Sequence, residues 1–160
     1  MEIVRAEARG PVVLVCEHAA KAIPGEFDGL GLSAEAACSH AAWDIGARDV
    51  AVALAERLDA PLVAGTISRL VYDLNRPPEA PDAVPAKSEV HEVPGNAGLD
   101  DAGRAARAKA LHDPFHAELD RVIEGRETAA IITIHSFTPV YRGVRRGVER
   151  GFLYHSDERM

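Results

Sequence analysis

PVVLVCEH, residues 11–18, is the stretch on which the fold turns. Five apolar residues, Val12 to Cys16, start after Gly10-Pro11 and stop at Glu17-His18. The run is short and rich in β-branched side chains, so it reads as a buried strand. A second stretch, AAIITIHSFTP at residues 129–139, repeats the design: an apolar run over residues 131–134 ends in His135, Ser136 and a Pro-terminated loop. PLVAGTIS (61–68), RLVYDLN (69–75) and GFLYH (151–155) are three further strand candidates.

Between these runs lie helical segments. Residues 32–60 are alanine-rich; Val52, Leu54, Ala55 and Leu58 can share one face, and Ser33 and Asp44 are candidate N-caps. Residues 100–125 form a second helical segment, with Asp100 as its cap and Pro114 expected to break or kink it. Continuous apolar strands alternating with helices predict an α/β fold: a mixed, mostly parallel sheet with helices on both faces. The expected organisation is one domain over residues 1–160. Its long Pro/Gly-rich loop, residues 77–99, has the length of a functional lid or a mobile insert.

Composition narrows the function classes. The chain is 47% hydrophobic and 27% charged, with a net charge of −7, which argues against a nucleic-acid backbone or an anionic membrane as the main partner. The cluster Arg142, Arg145, Arg146 and Arg150 reads as a solvated loop or as a local anion-attracting rim. Cys16 and Cys38 show no metal or disulfide spacing, and Cys16 reads as a buried free thiol of a reducing compartment. No apolar h-region or membrane-length run is present, so the cytoplasm is the expected location.

Ligands of open α/β sheets collect beyond the carboxyl ends of the strands. His18, Asn75-Arg76 and His135-Ser136 each fall just past a strand candidate. Two imidazoles from neighbouring strand ends plus a carboxylate make the three-protein-ligand set of a catalytic zinc site; each histidine alone reads equally well as a structural residue. Asp44 is the carboxylate considered, against its reading as a helix cap, whereas Glu17 is expected to point away from His18. Arg69, Asn75 and Arg76 are suited to gripping a substrate carboxylate, with an Arg76–Asp73 surface pair as the plainer alternative. His112 and His116, four apart, straddle Pro114 and lack the Glu of a His-Glu-x-x-His motif, so they read as surface or packing residues. His40 and Asp44, also four apart, read the same way. Ser136 cannot easily be activated by its neighbour His135, since adjacent strand residues face opposite ways, and no Gly-x-Ser-x-Gly elbow exists. It reads as a loop hydrogen-bonder.

Taken together, VVLVCEHAAKAIP, HAAWDIGA, SRLVYDLNRPP, HDPFH, IHSFTPVYRG and GFLYHSDER resemble the N-formylglutamate amidohydrolase family, in that order and over nearly all of the chain. More distantly, the two strand-end histidines with Asp-Leu-Asn-Arg are similar to the aspartoacylase and zinc carboxypeptidase group. The resemblance implies a zinc-exopeptidase type of sheet and hydrolysis of an amide bond in a small N-acylated acidic amino acid. It implies that His18 and His135 hold zinc, that Asn75 and Arg76 bind the substrate carboxylate, and that Arg69 polarises the scissile carbonyl or assists that grip. Zinc would act as Lewis acid and activate the attacking water. Where the carboxypeptidase-like pattern has a ligating Glu three residues after the first histidine, this chain has Lys21, which turns the search for a third ligand to Asp44. Members of the family run past residue 160, and the general-base Glu of the wider group is expected in that part. The competing expectation is therefore a metal- or carboxylate-binding domain without turnover.

Overall fold

The computed structural model describes residues 1–124, 126, 130–141 and 143–153. Val12–Cys16 forms strand β2 at the interior of a four-stranded sheet. Its partners are β3 (Leu62–Ala64) and β6 (Ala130–Thr133), both parallel to it, and β1 (Glu2–Val4) closes the other side antiparallel to β3. The order β1-β3-β2-β6 is the mixed, mostly parallel sheet that the apolar runs predict.

Period-two alternation along β2 and β3 divides the core between two faces. Leu14, Cys16, Leu62 and Ala64 pack on one side against Ala47, Ala51 and Ala55 of helix α2 (Ala47–Arg57). Three alanines at a spacing of four let this helix lie close on the sheet, so its buried stripe differs from the expected one. Val52 and Leu54 are only partly buried, and Leu58 is exposed. On the opposite face Val15 and Val63 meet Tyr72, Leu74, Ala108 and Phe115. Helix α1 (Ala34–Cys38) is capped by Ser33, which accepts from the Ala36 N–H. The cap of α2 is Gly46, held at φ +81°, and not Asp44, whose side chain is used elsewhere.

Asp100 caps α3 (Asp101–Arg107) by accepting from Gly103 N at 2.8 Å. Pro114 does not break the segment. A π-helical turn, residues 108–112, joins α3 to α4 (Asp113–Glu124), and the Asp113 N–H reaches back five residues to Ala108 O. The wider winding takes up the chain just before the residue that has no N–H to give.

RLVYDLN is not a strand. Leu70, Val71, Tyr72 and Leu74 are all buried, as the apolar run requires, but residues 68–76 form successive turns. Side chains supply the hydrogen bonds that a strand ladder would have made. Asn96 donates to Leu70 O (2.8 Å), Arg107 to Val71 O (3.1 Å), and a ring nitrogen of His116 lies 3.0 Å from Leu74 O. The same residues organise the long connection after Arg76. It folds into a short hairpin of β4 (Lys87–Ser88) and β5 (His91–Glu92) between two single 3₁₀ turns, Pro81–Ala83 and Pro94–Asn96. Arg104 donates to Ala80 O, Pro81 O and Val84 O, and Arg107 to Gly95 O and Asn96 Oδ1.

Two expectations for the C-terminal part also change. Strand β6 is half-exposed rather than buried, with Ile131 at 48%, because β2 is its only partner among the described residues. Of GFLYH, residues 151–153 are exposed and not in a strand, and residues 154–155 lie outside the described set. The hairpin β7 (Val140–Tyr141) and β8 (Val144–Arg145) follows the loop after β6. Among the described residues no helix is long and apolar enough to cross a membrane.

Asn96 is 3% exposed and is the common anchor of both irregular segments, through Leu70 O, Pro85 O and the guanidinium of Arg107. Replacing Asn96 by Ala leaves buried carbonyls without donors. It is expected to lower stability by about 1–3 kcal/mol, read as a fall in thermal or urea midpoint; an unchanged midpoint would mean that these bonds do not hold the loops.

Candidate functional site

The polar groups gather where the sheet rule places them, beyond the carboxyl ends of β2 and β6. His18 follows β2, and its ring is almost fully buried. Its Nε2 lies 2.7 Å from Asp73 Oδ1, and its Nδ1 lies 3.4 Å from Asp44 Oδ2. His135 follows β6, with its ring 5.1 Å from that of His18 between centroids, and its Nδ1 lies 2.8 Å from the same Asp44 oxygen. That oxygen also accepts from the backbone N–H of Ser136 at 3.3 Å. Asp44 is fixed from behind by its own N–H, which donates to His18 O at 3.0 Å.

Arg69 spans the two carboxylates. Its Nη2 donates to Asp73 Oδ2 at 2.7 Å, and its Nη1 reaches Asp44 Oδ1 at 3.5 Å. Asp73 Oδ1 also accepts from Asn75 N at 3.0 Å, so the turn at residues 73–75 is built around this carboxylate. Glu17 completes the cluster: its side chain is buried, and Oε2 stands 3.6 Å from His135 Nε2. Close approach of the chains makes this possible, since Gly65 donates its N–H to Cys16 O, and a Cβ on Gly65 would sit 2.1 Å from Glu17 O.

The charges decide the protonation. Burial pushes the carboxyl of Asp44 up, but hydrogen bonds and charge from His135 and His18 outweigh it and hold the group well below the usual carboxylate range. Asp73 behaves alike: burial opposes ionisation, while His18 and Arg69 bring it down to about 2. For His18 burial disfavours the imidazolium, yet Asp44 and Asp73 together raise its pKa above the ordinary value. The neighbouring Cys16 thiol is pushed up to about 12, first by burial and then by the charges of Glu17 and Asp44, which makes it an inert packing residue.

His18, Asp44 and His135 each offer a ligand atom, and these atoms lie within 4.8 Å of one another. The buried Nδ1 of His18 has only the Asp44 oxygen near it, at 3.4 Å, and makes no well-formed hydrogen bond. Glu17, Asp44 and Asp73 are three buried acidic residues with one guanidinium, Arg69, against the last two, so with neutral imidazoles the cluster carries a formal surplus of two negative charges. An orphaned ring nitrogen, a two-His-one-carboxylate donor set and that surplus fit a divalent cation of the zinc type.

A cavity of about 460 Å³ opens beside the cluster, lined among others by Asp44, Arg69, Ser136, Phe137 and Arg146. Arg146 is stacked on Phe137 and Tyr141, 5.0 Å from each ring centre, so one member of the basic cluster does face the site. Arg142 and His155 lie outside the described residues. Of the residues expected to bind substrate, Arg69 and Ser136 line this cavity and Asn75 and Arg76 do not. Arg76 pairs with Asp82 at 2.9 Å, and not with Asp73. His112 and His116 stack on each other at 4.2 Å beside Tyr72, a packing role, and His40 pairs with Glu89 rather than Asp44. Reading the sequence missed Asp73 and Glu17. For Asp73 the available signal was a lone carboxylate inside a buried apolar run, which demands a partner.

A mostly parallel α/β sheet that gathers histidines and carboxylates at its strand ends has its polar groups where ligands of such sheets bind. The chain belongs to the N-formylglutamate amidohydrolase family, whose model matches residues 10–158. The solved structure of gene product Atu2144 from Agrobacterium tumefaciens is 51% identical, with a TM-score of 0.93 over 98% of this chain. The chain spans 64% of that protein's length. No functionally curated protein matches it.

The pKa directions give a stability profile for the metal-free protein. Asp44 and Asp73 are depressed, so their contribution is present above the ordinary value of 3.8 and lost as pH falls through the folded values. His18 is raised, so its contribution is complete below 6.5 and declines as pH rises through its folded value. Unfolding in the presence of chelator is expected to show greatest stability between about pH 4 and pH 6.5, with a loss on either side. A flat profile from pH 3 to 9 would contradict the ionised cluster.

Proposed function

We propose that the protein is a zinc-dependent amidohydrolase acting on a small N-acylated acidic amino acid, with N-formylglutamate as the first candidate. The observation that carries this reading is the convergence of His18, Asp44 and His135 beside a cavity lined by Arg69, in a chain of this amidohydrolase family. His18, His135 and Asp44 would hold the ion. When bound, zinc supplies Lewis acidity toward the acyl carbonyl and lowers the pKa of water.

The chain's own residues do the rest. Arg69 keeps guanidinium donors at the cavity wall while anchored to Asp44 and Asp73, so a carbonyl or carboxylate oxygen meets a cation that cannot swing away. Ser136 holds Asp44 through its backbone and presents its side chain to the cavity. Arg146, pinned on two rings, adds positive charge to the same lining and suits a second substrate carboxylate. Asn75 and Arg76 remain candidates for carboxylate binding only if the turn at residues 73–76 shifts with substrate present.

One observation favours the second reading, a domain that binds metal or carboxylate without turnover. The cavity-lining carboxylates among the described residues are Asp44 and Glu89, and both are already paired, with His135 and His40. Neither is placed as a general base.

Two measurements separate these readings. Chelation should abolish hydrolysis of N-formylglutamate and zinc should restore it; hydrolysis indifferent to chelation would overturn the proposal, and bound zinc without turnover would select the second reading. Arg69→Lys is expected to lower kcat/KM by about 10–100-fold, the share of a hydrogen bond to a charged group, with zinc content unchanged.

A further inference from the structure

Both histidines of the cluster turn Nδ1 toward Asp44 Oδ2, and both therefore turn Nε2 outward. Behind His18 the outer nitrogen meets Asp73 Oδ1 at 2.7 Å. Behind His135 the outer nitrogen faces Glu17 Oε2 at 3.6 Å. Glu17 is 5% exposed, and its Oε2 is buried with no hydrogen-bond partner. A carboxylate oxygen left unsatisfied in the interior is costly, and costs of that kind persist mainly at functional positions. Its backbone is also clamped: the chain at Gly65 passes so close to Glu17 O that no side chain fits between them. The side chain is thus held near one ring nitrogen.

We infer that Glu17 is the positioning carboxylate of His135, the counterpart of Asp73 behind His18. This rests on the metal reading proposed above. A neutral imidazole that gives its Nδ1 lone pair to a cation keeps its proton on Nε2, and that N–H faces Glu17 Oε2, which needs to close from 3.6 Å by about half an ångström to accept it when the ion is bound. The bond sets the tautomer and the ring plane, as carboxylates behind ligating histidines do. The need is greater here than at His18. The His135 side chain is 32% exposed and follows the half-exposed strand β6, whereas the His18 side chain is 3% exposed. Asp44 contacts only the inner edge of the His135 ring, and a single contact leaves rotation about it free. Glu17 supplies the second point.

The test uses zinc itself, titrated against a chromophoric chelator into the metal-free wild type and Glu17→Gln, with Asp73→Asn as the comparison. Glu17→Gln is expected to weaken zinc binding by about 10–100-fold, as Asp73→Asn does, and Glu17→Asp to recover part of the loss. Nitrogen-detected NMR of the zinc-loaded wild type should show His135 protonated on Nε2. This reading stands even if the glutamine variant fails to fold. Zinc bound by wild type and Glu17→Gln with equal affinity would overturn the role of Glu17 while leaving the metal reading intact. A proton on Nδ1 of His135 would also overturn it, because Nε2 would then be the ligand atom and Glu17 its neighbour at the ion. Failure of the wild type to bind zinc would overturn both.

Discussion

Everything at the site depends on one buried oxygen, Oδ2 of Asp44. A carboxylate taken out of water costs several kcal/mol unless its lone pairs are used. This one faces the two imidazoles at 2.8 and 3.4 Å and the Ser136 N–H at 3.3 Å, while its partner oxygen faces Arg69. Those contacts come from the ends of two strands, β2 and β6, and from the turns at residues 68–76. Removing Asp44 would leave four cationic or donor groups without the anion that draws them together, so the residue holds the site in shape. It also explains why the start of α2 was given to Gly46: the carboxylate that might have capped the helix is committed two residues earlier.

The second constraint is the accommodation of an apolar run that is not a strand. Leu70, Val71, Tyr72 and Leu74 must be buried: Tyr72 and Leu74 fill the core beneath β2 and β3, and Leu70 and Val71 a second cluster with Leu30, Ala42 and Val93. Had residues 69–75 joined the sheet, alternation would have sent Asp73 and Arg69 to the same face as Val71, with no room for a carboxylate bridge to His18. The turns instead bury consecutive side chains in different directions and aim Asp73 back at the strand ends. Asn96, Arg104 and Arg107 make this affordable by capping carbonyls that have no ladder. The hairpin segment and the π-wound helix therefore serve the site at a distance, by keeping an irregular loop in one shape.

This is also where the sequence was legible and where it was not. PVVLVC and residues 130–133 announce themselves as strands because β-branched apolar residues bounded by polar ends have few other uses. The parallel sheet follows, and with it the positions of His18, Asp44 and His135. RLVYDLN carries the same local signal, but the difference lies in carbonyl-capping partners up to 42 residues away, which no local window contains. Glu17 was misjudged for a related reason. Strand alternation puts residues 17 and 18 on opposite sides, yet the strand ends at Cys16, and beyond it both side chains turn into the site. Asp73 looked like a surface partner of Arg76 until burial gave it to His18, and Arg76 took Asp82.

The two halves of the His18–Asp44–His135 cluster are unequal, and the inequality has a physical consequence. His18 is enclosed: its strand is central, its ring is buried, and Asp73 and Arg69 back it with short bonds. His135 follows a strand paired on one side among the described residues, with Ile131 half in solvent and a longer contact to Glu17. Ligand geometry must hold to a few tenths of an ångström for tight metal binding. The enclosed half meets that demand by itself, so the variable part of the site is His135. What fixes it is the register of β6 against β2, where Thr133 sits opposite Val15, together with the two carboxylates that grip the ring from either edge. The precision of the cluster, and of any ion it were to hold, is thus set less by the residue most buried in it than by the anchoring of the one least buried.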